Sequence, residues 1–110
     1  MGRKVPAPGE SHLALLGSGA LRSASRYAGE KVRVAGLVVV RQRPPSAKGH
    51  VFLTLEDEEG LINLIVRPGT YERYRSALRN APLLLVEGCL QREGEASSVL
   101  VYEAVPLFRP

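Results

Sequence analysis

The order of periodic segments in this 110-residue sequence predicts an all-β domain, a five-stranded barrel with one helix between strands 3 and 4. Five short segments alternate apolar and polar residues with the period of two that is typical of half-buried strands. One segment with helical spacing interrupts this series after the third strand. In addition, Gly36 lies inside the first strand pattern, where a glycine indicates a bulge or a strong bend.

The first three strands are predicted between residues 31 and 66. KVRVAGLVVVRQR, residues 31–43, forms the first strand, with inward side chains expected at Val32, Val34, Leu37 and Val39. HVFLTLED, residues 50–57, and LINLIV, residues 61–66, alternate with the same period. The acidic link EDEEG joins these two strands, so we expect a hairpin whose turn carries solvated charges.

The remaining elements follow from one helical pattern and two further alternating segments. PGTYERYRSALRN, residues 68–80, predicts a single helix of roughly three turns with Thr70 as its N-cap. APLLLVEGCLQR, residues 81–92, and SSVLVYEAV, residues 97–105, predict the last two strands of the barrel.

The length of the chain fits one domain. Residues 1–29 are expected to form a flexible lead-in and a short N-terminal helical cap, broken at Gly17 and Gly19. Residues 30–106 form the predicted barrel, and residues 107–110 a tail.

Composition favours a soluble chain from a reducing compartment. Its 45% of hydrophobic residues can fill a core, and its apolar runs are far shorter than the ~20 residues that span a bilayer. No apolar segment follows Arg3 and Lys4 as a secretory signal requires, and the lone Cys89 cannot form an internal disulfide. We therefore expect a cytoplasmic location, no membrane association, and a packing role for Cys89.

The sequence carries no recognisable motif for catalysis or metal binding. Its serine and threonine residues lie in no nucleophile elbow, and the histidines and cysteine form no local ligand pair. The consecutive carboxylates at 56–59 point to alternate faces of a strand pair and lack the spacing of an EF-hand. We expect no enzyme activity, no metal and no cofactor.

Charge is segregated along the sequence, whose formal net charge is +4. Residues 30–50 carry five cations against Glu30 alone, whereas residues 51–66 carry four acids and no lysine or arginine. Five strands with a helix after the third are the layout of the OB-fold, which binds oligonucleotides across strands 2 and 3 and the two flanking loops. The flanking loops are predicted at residues 42–49 and 92–96.

This layout selects candidate nucleic-acid-binding residues. If Val51, Leu53 and Leu55 point into the barrel, Phe52 and Thr54 point outward, where a base can stack on the aromatic ring. Asn63 shares that face and can contact a base edge, while nearby cations neutralise phosphates. The full candidate set is Arg41, Arg43, Lys48, His50, Phe52, Thr54, Asn63, Arg67 and Arg92.

Two alternatives apply to these residues. The N-terminal leucines Leu13, Leu15 and Leu16 can fold over the sheet face and bury Phe52. The cations between residues 41 and 48 can belong to a solvated loop without a partner.

GHVFLTLEDEEGLINLIV resembles the hairpin of strands 2 and 3 in the OB-folds of class II aminoacyl-tRNA synthetases, where the residue types at Phe52 and Asn63 would contact the anticodon. Residues 12–105 as a whole resemble the C-terminal OB domain of bacterial DNA polymerase III alpha subunits, especially the error-prone branch. That likeness rests on HLALL, on the segment from VRVAGL to YERYR, and on LLLVEGCLQREG.

The resemblance implies single-stranded DNA binding with low sequence specificity, in replication or translesion repair synthesis. The catalytic carboxylates of the polymerase have no counterpart here, so no polymerisation is expected. Two alternatives stay open: a protein-interaction module of a polymerase assembly, and an RNA-binding or tRNA-binding OB-fold. Expected partners are single-stranded DNA or RNA and a polymerase or other replication protein, and the chain can also form oligomers.

Overall fold

The strands close into one barrel in the order β1-β2-β3-β5-β4. The computed structural model describes residues 15–23, 29–94 and 96–107. The strands are β1 Lys31–Gln42, β2 Val51–Asp57, β3 Gly60–Val66, β4 Leu83–Glu93 and β5 Ala96–Pro106. All neighbouring strands are antiparallel except β3 and β5, which run parallel. The prediction of a five-stranded OB-fold barrel is confirmed.

The barrel interior is filled by aliphatic side chains that alternate along each strand. In β2 the three predicted inward residues are buried, and in β3 every second residue is buried, at Ile62, Leu64 and Val66. Leucine and valine dominate this core because the sequence has no tryptophan and only two phenylalanines. The period-two pattern therefore fixes which face of the β2–β3 hairpin remains outside.

β1 departs from the predicted alternation at a bulge. Val38 and Val40 pair with consecutive residues of β2, so Val39 is an extra residue in β1. Val38 packs against the core, whereas Leu37 and Val39, both predicted to be inward, are exposed. Because one extra residue moves all later side chains to the opposite face, the second half of β1 is reversed relative to the first.

Two glycines allow strands to approach closely. A Cβ on Gly36 would lie 2.7 Å from the carbonyl oxygen of Glu56 on β2. A Cβ on Gly88 would collide with the carbonyl oxygen of Leu100 on β5. Gly36 therefore marks a close approach rather than the bulge itself, which lies at Val39.

The predicted single helix between β3 and β4 is two short helices, α2 Pro68–Arg73 and α3 Arg75–Asn80. They are separated at Tyr74, whose φ of −113° and ψ of 28° are not helical. α2 begins after Arg67 because Pro68 suits the first turn, so the prediction of Thr70 as the N-cap is wrong. Leu78 of α3 is buried in the core cluster.

A further helix, α1 Ser18–Ser23, lies beside the β2–β3 turn, at the opposite end of these strands from α2. Leu21 is 3% exposed and belongs to the core cluster. The predicted cap is thus present, but Gly19 lies inside the helix instead of breaking it. Residues 1–14, which include most of the predicted lead-in, lie outside the described residues.

The carboxylate of Asp57 holds α1 against the hairpin turn. It accepts hydrogen bonds from the Ser18 amide and the Ser18 hydroxyl, both at 2.7 Å, and from the amides of Glu59 and Gly60. Glu59 in turn accepts a hydrogen bond from the amide of Gly19 at 2.9 Å. The expectation that this turn carries only solvated charges is therefore wrong for Asp57 and Glu59.

These contacts set the ionisation of Asp57. Partial burial acts to raise its pKa, but hydrogen bonds from the Ser18 hydroxyl and from three backbone amides outweigh it and lower the pKa below its ordinary value of 3.8. A carboxyl whose pKa is lower in the folded state stabilises the fold above its unfolded pKa. That stability is lost as the pH falls through the folded pKa.

Asp57→Asn is expected to lower the free energy of unfolding by about 1 kcal/mol at pH 7, because the amide is a poorer acceptor for the helix and the turn. The difference from the unmodified chain should shrink as the pH falls below 3.8. Urea unfolding at several pH values measures it. Glu58→Gln, at the exposed carboxylate next in sequence, is the matched control and should have no such effect. A difference independent of pH would contradict this role.

Candidate nucleic-acid interface

Phe52, Thr54 and Asn63 lie together on the outer face of the β2–β3 hairpin, as predicted. Phe52 pairs across the hairpin with Ile65, and Thr54 pairs with Asn63. Phe52 and Thr54 are half-buried, while Asn63 is exposed. Directly paired residues share a face, so an aromatic ring, a hydroxyl and an amide form one continuous surface.

The described part of the N-terminal segment lies away from Phe52. The amide of Leu16 donates to the carbonyl of Arg33 at 2.9 Å, and Leu15 forms a β-bridge with the same residue. Both leucines line a cleft with Asp57, which is at the other end of β2 from Phe52. Residues 15–23 therefore cap the turn end of the hairpin. Leu13, the third leucine of the predicted cover, lies outside the described residues.

His50 and Arg67 flank the end of the hairpin nearest to Phe52. Val51 of β2 pairs with Val66 of β3, and His50 and Arg67 are the residues just beyond this inward pair. If the alternation of the strands continues by one residue, both face the same way as Phe52, roughly 7 Å along the strands. Arg67 is exposed.

The loop at residues 43–50 carries Arg43 and Lys48 in a tight conformation. A 3-10 turn, Pro45–Ala47, is followed by positive φ angles at Lys48 (54°) and Gly49 (86°). His50 fixes the loop through its Nδ1, which donates to the carbonyl of Ala47 at 2.8 Å. Lys48 is exposed in this loop.

Arg43 joins this loop to α2. Its guanidinium carbon lies 4.9 Å from the centroid of the Tyr71 ring, within the range of a cation–π contact. Arg43 is nevertheless exposed, so its charge remains accessible at the surface.

Arg41 lies on the other side of the sheet. After the bulge it pairs with the inward residue Leu53, and it reaches the C-terminal end of α3. Its Nε donates to the carbonyl of Leu78 at 2.9 Å, and one terminal nitrogen donates to the carbonyl of Ala81 at 2.6 Å. The side chains of Arg41 and Phe52 therefore lie on different sides of the sheet. Two of the five N–H groups of Arg41 donate hydrogen bonds within the fold.

Arg92 lines an open cleft of about 710 Å³ beside the β4–β5 turn. The cleft continues the hairpin face, because it also includes Ile65, the partner of Phe52. Cys89 lines the same cleft and is half-buried, so its predicted role in packing is only partly fulfilled. One terminal nitrogen of Arg92 lies 3.4 Å from the carbonyl oxygen of Gly94, which holds the side chain at the cleft.

Several residues of this surface escaped the sequence analysis. Gln42 and Ile65 lie on either side of Phe52, and Val40 lies beside Thr54. The alternation of β3 could have identified Ile65. Gln42 and Val40 reach this surface only because of the bulge in β1, and the sequence gives no signal for a bulge at Val39.

Within the part of the chain that the structure describes, no three histidine, cysteine, aspartate or glutamate side chains are grouped so that they could hold a metal ion. No helix within those ranges has the length and apolar character needed to cross a membrane.

Residues 32–107 match the family model described as the OB-fold nucleic acid binding domain, of the tRNA anti-codon type. An error-prone DNA polymerase of Anaeromyxobacter dehalogenans (strain 2CP-C) is 53% identical over 76 residues, which are 69% of this chain and 7% of that polymerase. An error-prone DNA polymerase of Rhodopseudomonas palustris (strain BisB5) is 52% identical over 81 residues, 74% of this chain and 7% of the relative. The chain thus spans about 7% of the length of these curated relatives.

Solved structures share the fold. Asparaginyl-tRNA synthetase from Pyrococcus horikoshii, complexed with asparaginyl-adenylate, superposes with a TM-score of 0.63 at 22% identity, over 74% of this chain and 20% of that one. The S. pombe Stn1-ten1 complex gives a TM-score of 0.61 at 14% identity, over 73% of this chain and 60% of that one. The resemblance drawn from the sequence is confirmed.

Proposed function

The chain belongs to the OB-fold nucleic acid binding domain family, and we propose that it binds single-stranded DNA with low sequence specificity on the outer face of β2 and β3. The observation that carries this proposal is the half-buried ring of Phe52 on a continuous outer surface with Asn63, with exposed Arg67 directly after β3. An aromatic ring stacks on any base, and nearby cations follow the phosphates, so such a surface needs no particular sequence.

The cations divide into three groups in this proposal. Arg67, Lys48 and Arg43 contact phosphates at the loop end of the hairpin, and His50 borders the same path. Arg92 contacts the strand on the other side, in the cleft beside the β4–β5 turn. Arg41 stabilises the fold, because its guanidinium is engaged by α3.

Asn63 and Thr54 provide the polar contacts to bases. The Asn63 amide both donates and accepts, so it can bond to the exposed edge of any unpaired base. Asn63 also lines a small crevice together with Ser97 and Ser98 of β5. Such adaptable contacts suit low sequence specificity.

The proposed setting is DNA replication or translesion repair synthesis, within or beside a polymerase. Its support is the similarity to a short part of error-prone DNA polymerases. The role proposed for this chain is binding of the strand, without a reaction of its own.

The test is fluorescence anisotropy of a labelled single-stranded DNA of mixed sequence, titrated at two salt concentrations. Saturable binding that weakens as salt is raised is expected, with affinities within a few-fold for unrelated sequences. RNA of the same sequence is the comparison, and tighter binding of RNA would favour the RNA-binding alternative. Absence of binding at low salt would contradict the proposal.

A protein-interaction module is the second candidate, and one observation favours it. Leu37 and Leu61 are 43% and 55% exposed on the hairpin face, at either side of Glu56. Size-exclusion chromatography with and without oligonucleotide separates the two functions. A constitutive dimer that is indifferent to DNA would support the interaction module.

A further inference from the structure

We propose that the exposed surface of α2 and α3 is a second nucleic-acid contact, which binds the phosphate backbone of the strand after it leaves the β2–β3 groove. This inference rests on the proposed function, and it adds a site outside the OB-fold groove. The surface, called here the helical basic face, consists of Arg73, Arg75 and Arg79.

The charge of this region is strongly one-sided. Residues 67–80 contain four arginines and one glutamate, a net charge of +3, and all four arginines are exposed. Glu72 approaches Arg75 only to 3.6 Å, and both side chains are more than half exposed. Such a surface pair is weak and is easily replaced by a phosphate contact.

Helix stability does not account for two of these cations. Arg75 is the first residue of α3, and Arg67 is the N-cap of α2 without a side-chain cap hydrogen bond. Helix N-terminal ends favour negative charge, so a cation at either place is electrostatically unfavourable for the helix. Arg73 and Arg79, in contrast, lie in last turns, where a cation is favourable. The two disfavoured positions therefore need an explanation outside the helices.

The loop that borders the groove packs directly against the start of α2, the helix that leads to the helical basic face. A Cβ on Gly49 would lie 3.1 Å from Cγ of Pro68, so the β1–β2 loop packs directly against the start of α2. Arg43 of the same loop lies over Tyr71. A strand that passes Lys48 and Arg67 on leaving the groove therefore meets α2 next.

The opposite end of the hairpin excludes the same ligand. The β2–β3 turn carries four consecutive acids, at 56–59, and no cation lies between residues 51 and 66. A polyanion is repelled there and attracted at the helices. The charge distribution thus keeps the strand away from the β2–β3 turn and makes the end beside α2 one of its two exits, the other being the cleft at Arg92.

The test compares two lengths of single-stranded DNA, one of about 8 nucleotides, which an OB-fold groove can hold, and one of about 25, which extends beyond it. The variant is Arg75→Gln with Arg79→Gln. We expect unchanged affinity for the short DNA and several-fold weaker binding of the long DNA. The slope of log affinity against log salt for the long DNA should fall by up to about 1.4, at ~0.7 per lost contact.

Net charge is controlled by a second variant that adds Glu103→Lys, which restores the two lost charges at an exposed residue of β5 distant in sequence from α2 and α3. If the contact is local, this change does not restore binding of the long DNA. Full restoration would overturn the proposal, as would equal effects on both lengths or none on either. Thermal unfolding of each variant checks that the fold is intact.

Failure of the groove is distinguishable from failure of this site. If the unmodified chain does not bind the short DNA, the proposed function is contradicted. The loss of long-DNA binding in the arginine variant then still decides whether the helical basic face binds phosphates.

Discussion

Phe52→Ala is expected to weaken single-stranded DNA binding by ~1–3 kcal/mol, or roughly 5-fold to 150-fold, because it removes a stacking platform. The dependence of affinity on salt should stay nearly unchanged, since no phosphate contact is lost. Anisotropy titrations at two salt concentrations measure both quantities.

Two further variants make the Phe52 experiment specific. Phe52→Tyr keeps the ring and should retain most of the affinity. Val105→Ala removes an apolar side chain that is 44% exposed on β5 and should have no effect on binding. Affinity unchanged in Phe52→Ala, in a variant that thermal unfolding shows to be folded, would contradict the site on the β2–β3 face.

Arg41→Ala is expected to lower the free energy of unfolding by about 1–3 kcal/mol, because it leaves the carbonyls of Leu78 and Ala81 without their charged donor. Arg41→Lys keeps the charge but cannot donate in the same forked geometry, so it should recover only part of the loss. Urea unfolding measures these differences.

The salt dependence of DNA binding separates this role from a phosphate contact. Arg41→Ala should leave the slope unchanged, whereas Arg43→Ala, two residues away on the exposed loop, should reduce it by ~0.7. If Arg41→Ala instead reduced the slope of log affinity against log salt and left the stability unaltered, Arg41 would be a phosphate contact and not a stabilising residue.

Most of the fold was predictable because the core depends on alternation. The segments with a period of two match the strands of the structure to within two residues at each end, and the buried positions of β2 were identified correctly. The break at Tyr74 was not predictable, since Tyr71, Tyr74 and Leu78 keep helical spacing across it. Pro68 correctly indicates the start of α2. Thr70, a residue type that favours N-caps, instead led to the prediction of a later start.

The candidate site was predictable where it lies on the hairpin and not where it depends on β1. Phe52, Thr54 and Asn63 share a face because β2 and β3 alternate without a bulge. The face of Arg41 depends on the extra residue Val39, which no glycine or proline marks. The contact of Asp57 with α1 joins residues 39 apart in the sequence, so only the folded barrel reveals it.

The link between Asp57 and α1 has a consequence for the order of folding. A six-residue helix is far too short to persist alone in water, so we expect α1 to form only once the core around Leu21 and the carboxylate of Asp57 are in place. The hairpin needs only neighbouring residues and can form early, whereas α1 must wait for a contact across 39 residues. We therefore expect α1 to open before the strands that it packs against, which faster amide hydrogen exchange in α1 would show.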